Sequence, residues 1–294
     1  MSARLRGIAR ENERIMAAGE YRAPAGHVVP LARALGQACD GTSVHGPGPL
    51  PTAAGRWPDP AGAGAPDGAS TDRGPLLEVT GESTLEAARR LTGAQDGGPV
   101  AALNFASARN PGGGYLNGAQ AQEEALCRAS ALYTCLLRAR GFYDHHRTHR
   151  DPFYSDRVVH SPAVPVFRDE KARLLDTPFA VGFLTAAAPN AGVVRRTAPE
   201  RTGELPAALA VRAERVLETA AAQGYRRAVL GAWGCGVFQN DPAAVASAFR
   251  AQLVPGGRFA TAFDHVVFAV LDRTPRAGVR SAFERAFAER QLQP

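Results

Sequence analysis

Between Asn104 and Glu124 the chain reads NFASARNPGGGYLNGAQAQEE, a run whose residue types suit chemistry on a phosphate-bearing ligand. Glycines without a Cβ let the backbone take positive φ and come close to a ligand. Successive backbone N–H groups in such a loop can cradle anionic oxygens. Two carboxylates, Glu123 and Glu124, follow at the start of an amphipathic stretch carrying Leu126, Ala129, Tyr133, Leu136 and Leu137. Adjacent residues on a helix point about 100° apart, so these two side chains take different tasks: one addresses a scissile bond and the other holds a hydroxyl. Acidic residues in a first helical turn are also favoured by the helix dipole alone, so the conjunction of glycine loop and paired carboxylates carries the argument.

A second loop has the same build. Gly231-Ala232-Trp233-Gly234-Cys235-Gly236-Val237-Phe238-Gln239-Asn240-Asp241 follows an apolar strand and precedes a helix. Ligands of open α/β sheets bind at such carboxyl ends of strands, and the glycines permit backbone contact with a diphosphate. Phe238 is placed to lie against a ribose, and Cys235 reads as a small residue beside the phosphates. Pro189-Asn190 either borders the ribose or makes a simple turn.

These loops need elements to hold them. The pattern predicts strands over 76–80, 99–105, 179–186, 227–232 and 265–271, with short extended pieces at 158–161 and 164–167. It predicts helices over 83–91, 123–138, 205–223, 242–253 and 279–288, with Ser83 and Thr84 as candidate caps of the first. Strands alternating with helices argue for an α/β sheet covered on both faces. Ahead of them, residues 2–18 read as a charged amphipathic helix ending near Gly19, and residues 31–38 as a second, short one. The stretch from about Gly46 to Gly74 is rich in Gly, Pro, Ala and Asp and reads as a mobile linker whose one anchor is Trp57.

Composition sets outer bounds. The chain has 294 residues, 45% of them hydrophobic and 21% charged, which is ordinary for a globular protein. No apolar run is long enough for a membrane span and no signal-peptide core opens the chain, so a cytoplasmic protein is expected. The net charge is +6 and Lys171 is the only lysine. An arginine-dominated surplus fits an anionic partner, because the guanidinium fork matches phosphate. Cys39, Cys127, Cys135 and Cys235 form no Cys-x-x-Cys pair, which argues against zinc. His145, His146 and His149 lack spaced acidic or thiol partners and are expected in a solvated segment rather than at a metal.

Gly-Gly-Gly, seven residues, then Gln-Glu-Glu, with the flanking Leu-Asn-Phe-Ala-Ser-Ala-Arg-Asn-Pro, resembles the bacterial-type poly(ADP-ribose) glycohydrolases. The resemblance runs from about Leu76 to the end. It implies a macrodomain-like three-layer α/β/α sandwich with a mixed central sheet and an N-terminal helical extension. The expected domains are 1–75, the extension with its Gly/Pro-rich loop, and 76–294, the catalytic domain. It further implies cleavage of the ribose–ribose O-glycosidic bond of poly(ADP-ribose), mainly from chain ends, without a metal or cofactor. By the same resemblance Glu124 is the general acid/base and Glu123 holds ribose hydroxyls. Asn110, Gly112, Gly113, Gly114 and Gln122 shape the ribose and phosphate site. Gly234, Cys235, Gly236, Val237 and Phe238 form the diphosphate loop, with Phe238 near the terminal ribose. Expected partners are poly(ADP-ribose), ADP-ribose and poly-ADP-ribosylated proteins, with no direct contact to nucleic acid or membrane. A non-catalytic ADP-ribose reader and a hydrolase of mono-ADP-ribosylated proteins are the alternatives. Gln122-Glu123-Glu124 weighs against the reader, which has no need of it.

Overall fold

The computed structural model describes residues 2–50, 74–94 and 98–288. Trp57 and most of the expected linker therefore lie outside the described residues. Seven strands form one mixed sheet in the order β3-β6-β7-β5-β8-β9-β4. These are β3 (Ser43–His45), β4 (Leu76–Thr80), β5 (Val100–Phe105), β6 (Val158–Arg168), β7 (Leu174–Ala186), β8 (Arg227–Leu230) and β9 (His265–Ala269). The strands from β7 through β5, β8 and β9 to β4 pair in parallel, whereas β3, β6 and β7 pair antiparallel.

Both faces are covered, and the strand alternation says how. In β5 the side chains of Val100 and Ala102 enter one core, and those of Ala101 and Leu103 enter the other. The first core is roofed by α3 (Thr84–Thr92), α4 (Gln122–Ala129), α5 (Leu132–Leu136) and α6 (Arg140–Thr148). The second is roofed by α8 (Leu205–Ala222), α9 (Pro242–Leu253) and α10 (Gly278–Ala288). A short helix, α7 (Ala191–Thr197), follows β7. This is the three-layer α/β/α sandwich with a mixed sheet.

Several elements depart from the expectation. The helix expected over 123–138 is two helices. At Ser130 the chain turns extended and bridges to Val166 of β6, while the Ser130 hydroxyl donates to Leu126 O at 2.8 Å and accepts from Leu132 N at 3.2 Å. A serine that satisfies both helix ends makes the break, and the apolar spacing runs through it undisturbed. The two extended pieces around residue 160 are one strand, β6, whose register slips between Ser161 and Val164. The histidine segment lies in α6 rather than in a solvated tail. His146 is fully buried and shares a 2.8 Å hydrogen bond with Ser155 Oγ, while His145 and His149 stack with ring centroids 4.0 Å apart.

The N-terminal segment holds α1 (Ala3–Ala18) and α2 (Ala32–Asp40), with a hairpin of β1 (Glu20–Arg22) and β2 (Val28–Pro30) between them. It then supplies β3, an edge strand of the main sheet, which leaves less bare edge to pair elsewhere. Asn12, 1% exposed, fixes α1 on the body. Its Nδ2 donates to Arg128 O at 2.7 Å, and its Oδ1 accepts from Arg168 Nε at 2.8 Å. Three-residue strands and a single buried asparagine have no sequence periodicity, so neither was visible beforehand.

Candidate active site

The carboxyl ends of β5, β7, β8 and β9 open into one cleft of about 1740 Å³. Both glycine loops line it. Asn110, Gly113, Gly114, Gln122, Glu123 and Glu124 come from the first loop and the start of α4; Gly234, Cys235, Gly236, Val237 and Phe238 come from the second. The segments singled out from sequence thus meet, though Glu124 and Gly231, their nearest ends, lie 107 positions apart in the chain.

Each of the two glutamates is held differently. Glu123 is 3% exposed: Ser107 N–H donates to its Oε2 at 2.6 Å and Asn104 Nδ2 to its Oε1 at 3.2 Å. Asn104 is itself steadied by a 3.1 Å bond to Thr185 on the neighbouring strand. Burial outweighs those donors and pushes the Glu123 carboxyl up to about 8. Glu124 is fixed through one oxygen only. Gly114 N–H donates to Glu124 Oε1 at 2.8 Å, while Oε2, also buried, has no partner among the described residues. Gly113 makes this possible, for its φ is +56° and a Cβ there would run into Glu124 Oε1. The fixed oxygen belongs to the loop, and the other is left without a partner on the residue that lines the cleft.

The other residues sort by their contacts. Gln122 is committed inside the protein: Phe105 N–H donates to its Oε1 at 2.9 Å, and its Nε2 donates to Leu103 O at 2.8 Å and Thr84 Oγ1 at 3.1 Å. It joins the end of β5 to the start of α3, where Ser83, not Thr84, is the cap and forms a capping box with Glu86. Gln122 therefore shapes the cleft through the backbone it holds. Gly112 stands behind the loop, where a Cβ would meet the Tyr133 ring, and it is not part of the cleft lining. Asn110 lines the cleft and its carbonyl accepts from Gly113 N at 2.9 Å, closing the turn.

In the second loop Trp233 is buried and donates from Nε1 to Ala186 O at 3.0 Å, while Asn240 Nδ2 donates to Pro189 O at 2.8 Å. The Cys235 thiol is pushed up to about 12 by burial, which makes it a poor nucleophile near neutrality. Val237 is 80% exposed at the loop tip. Phe238 packs its ring 5.8 Å from that of Tyr154, whose other neighbours are the His146 ring at 5.7 Å and the Arg109 guanidinium at 6.0 Å. Tyr154 has a φ of +60° and lines the cleft. Sequence reasoning missed it and Arg109, because nothing in the spacing links residue 154 to residue 238. Asn190 caps α7 by accepting from Val193 N at 3.1 Å, and neither it nor Pro189 lines the cleft. Gly192 N–H then donates to Phe238 O at 3.0 Å, tying α7 to the second loop.

Glu123 generates a pH prediction. Its folded-state carboxyl sits near 8 against 4.5 for the free group, so the folded state holds the proton more tightly. Its contribution to stability is complete below about pH 4.5, is lost as pH rises toward 8, and is constant beyond, with a slope of at most about 1.4 kcal/mol per pH unit. Urea unfolding of the wild type and Glu123→Gln at several pH values should show their stability difference moving against the wild type across that window. A difference independent of pH would contradict the assigned environment.

A cleft with two glycine loops and one carboxylate oxygen left free has close counterparts. The catalytic-domain model of the microbial-type PARG family matches residues 9–169. A crystal structure of poly(ADP-ribose) glycohydrolase from Thermomonospora curvata is 48% identical, with a TM-score of 0.86 over 97% of this chain and 100% of that one. The same protein bound to the inhibitor ADP-HPD matches at 47% identity and a TM-score of 0.85, with the same coverage. The poly(ADP-ribose) glycohydrolase of Deinococcus radiodurans in complex with ADP-ribose is 42% identical, with a TM-score of 0.74 over 87% of this chain and 97% of that one. None of the curated proteins matches the chain. A family model spanning more than half the chain, together with near-complete overlap at almost half identity, decides the question: the chain belongs to the microbial-type poly(ADP-ribose) glycohydrolase family.

Proposed function

We propose that the chain hydrolyses the ribose–ribose O-glycosidic bonds of poly(ADP-ribose) with Glu124 as its general acid and base. The observation that carries this reading is the asymmetry of the Glu124 carboxyl group: Oε1 is fixed by Gly114 N–H, and Oε2 is buried in the cleft wall without a partner. Departure of the glycosidic oxygen builds oxocarbenium character on the anomeric carbon of the bound ribose. Glu124 Oε2 gives its proton to that oxygen and then takes one from the attacking water. Glu123, held as an acceptor by Ser107 and Asn104, offers its remaining lone pairs to ribose hydroxyls. The backbone of Gly113 and Gly114 and the loop from Gly234 to Phe238 cradle the diphosphate, which helps place the water as the family resemblance implies. No step calls for a metal or cofactor. A mono-ADP-ribosyl hydrolase would use the same carboxylate, so the substrate must be assayed as polymer. Residues 76–294 form the catalytic unit in this reading, with 1–75 as an extension built onto it. No helix among the described residues is long and apolar enough to cross a membrane; the proposed setting is the cytoplasm, with poly-ADP-ribosylated proteins as partners and no direct nucleic-acid contact.

Glu124→Gln should fold and bind ADP-ribose but lose hydrolysis of polymer by at least about 10²–10⁴-fold, the usual worth of general acid–base catalysis. ADP-ribose affinity by calorimetry and turnover by chromatography check the two halves. Near-normal turnover would move the catalytic role elsewhere.

The end of the chain that is attacked follows from α1. Ser2, Arg4 and Leu5 line the cleft, and Ser2 N–H donates to Gly118 O at 3.4 Å, which supports a closed wall beside the glycine loop. With the wall in place, only a terminal unit fits and the main product is ADP-ribose. Time courses on end-labelled long polymer should show free ADP-ribose from the start. Early internal oligomers would overturn exo action.

A further inference from the structure

The outer face of α1 carries a row of arginines. Arg6, Arg10 and Arg14 are exposed and recur every four residues, so they form one stripe with a spacing of about 6 Å along the helix. The opposite face, with Leu5, Ala9, Asn12 and Ile15, is buried. Among the described residues no ion pair or side-chain hydrogen bond engages Arg4, Arg6, Arg10 or Arg14. Of the two carboxylates of α1, Glu11 pairs with Arg168 at 2.9 Å, and Glu13 is exposed and makes no ion pair among the described residues. An unneutralised arginine row of this kind is ordinarily a solvated face, so where it leads decides its meaning.

It leads to the cleft mouth. Arg4, two residues before Arg6 and so about 160° from it around the helix, lines the cleft together with Arg128, and the two are close enough for the charge of Arg4 to disfavour that of Arg128. The helix start is pinned there, since a Cβ on Gly118 would stand 2.6 Å from Ser2 O and the Arg6 stem runs beside the same glycine. Gly118 follows Gly114, the residue that fixes Glu124, by four positions. The cationic row therefore begins within one short loop of the proposed scissile bond and continues away from it on the protein surface.

We infer that the Arg6–Arg10–Arg14 face of α1 is an exosite that binds the diphosphates of the poly(ADP-ribose) units lying outside the cleft. The inference rests on the hydrolase reading and deepens it: the inner face of α1 admits one unit, and the outer face holds the chain to which that unit is joined. The partner is a flexible polyanion with two charges per unit, and each guanidinium is suited to clasp one phosphate. Binding through such contacts releases counterions and weakens with salt.

The test compares the wild type with the triple variant Arg6→Gln, Arg10→Gln, Arg14→Gln, which keeps the apolar stems. Affinity for uncut polymer of about twenty units is measured in the Glu124→Gln background, and kcat/KM is measured for long polymer and for a two-unit substrate in the active protein. The expected result is a roughly tenfold weaker Kd for long polymer, with a log–log salt slope shallower by about 2 on the single-strand scale, and unchanged kcat/KM on the two-unit substrate. Equal affinity of wild type and triple variant for long polymer would overturn the exosite. So would an equal loss on the two-unit substrate, which would place the arginines at the cleft itself, or displacement of the polymer by polyuridylate of matched length at equal concentration, which would make the face a general polyanion surface. Failure of the wild type to release ADP-ribose from any substrate would count against the hydrolase reading, whereas the binding comparison would still decide the exosite.

Discussion

One hydrogen bond, from Gly114 N–H to Glu124 Oε1, ties the glycine loop to the carboxylate, and the rest of the site is arranged so that it can form. It requires the loop backbone to pass within 2.8 Å of a side chain on α4. That approach is open only because residue 113 has no Cβ and takes a positive φ. It also requires the start of α4 to be fixed relative to β5, which Gln122 does by bonding the backbone of Leu103 and Phe105. The consequence is a carboxyl group with one immobile oxygen and one free one. Glu123, one residue earlier, is turned about 100° away and is satisfied on both oxygens by Ser107 and Asn104. Helix geometry alone thus divides two chemically identical side chains between two environments.

The buried position of this pair has an electrostatic cost that the surroundings only partly offset. Two carboxylates side by side in a low-dielectric wall disfavour double ionisation, and burial moves Glu123 toward its neutral form. Cation charge is present nearby in Arg128, which donates to Ala119 O at 2.6 Å and lines the same cleft. The N-terminal extension is coupled to these features through Asn12, which holds the backbone of Arg128 and the Arg168 side chain at once. The extension is thereby part of the site's architecture.

What could be read from the sequence was whatever repeats locally. The apolar run into Phe105, the glycine triplet, the Gln-Glu-Glu at a helix start and the second glycine loop are contiguous signals, and the structure brings them to one cleft. The layered α/β architecture was legible for the same reason, since strand and helix periods alternate along the chain. What was hidden depends on partners far away. The break at Ser130 is made by a bridge to Val166, the burial of His146 by a bond to Ser155, and the cleft position of Tyr154 by its contact with Phe238. The resemblance has Gln122 shaping the ribose and phosphate site, and what it could not show is that the amide bonds backbone more than fifteen residues away. The three-residue strands of the extension are too short to show any period.

On the proposed function the cleft is a site of hydrolysis rather than of recognition alone. The most direct measurement is the amount of free ADP-ribose released when a trace of purified protein is incubated with poly(ADP-ribose) of defined length. Many moles of ADP-ribose released per mole of protein is the predicted result. Polymer that is bound but remains intact at stoichiometric protein would contradict the claim and leave the fold as an ADP-ribose reader.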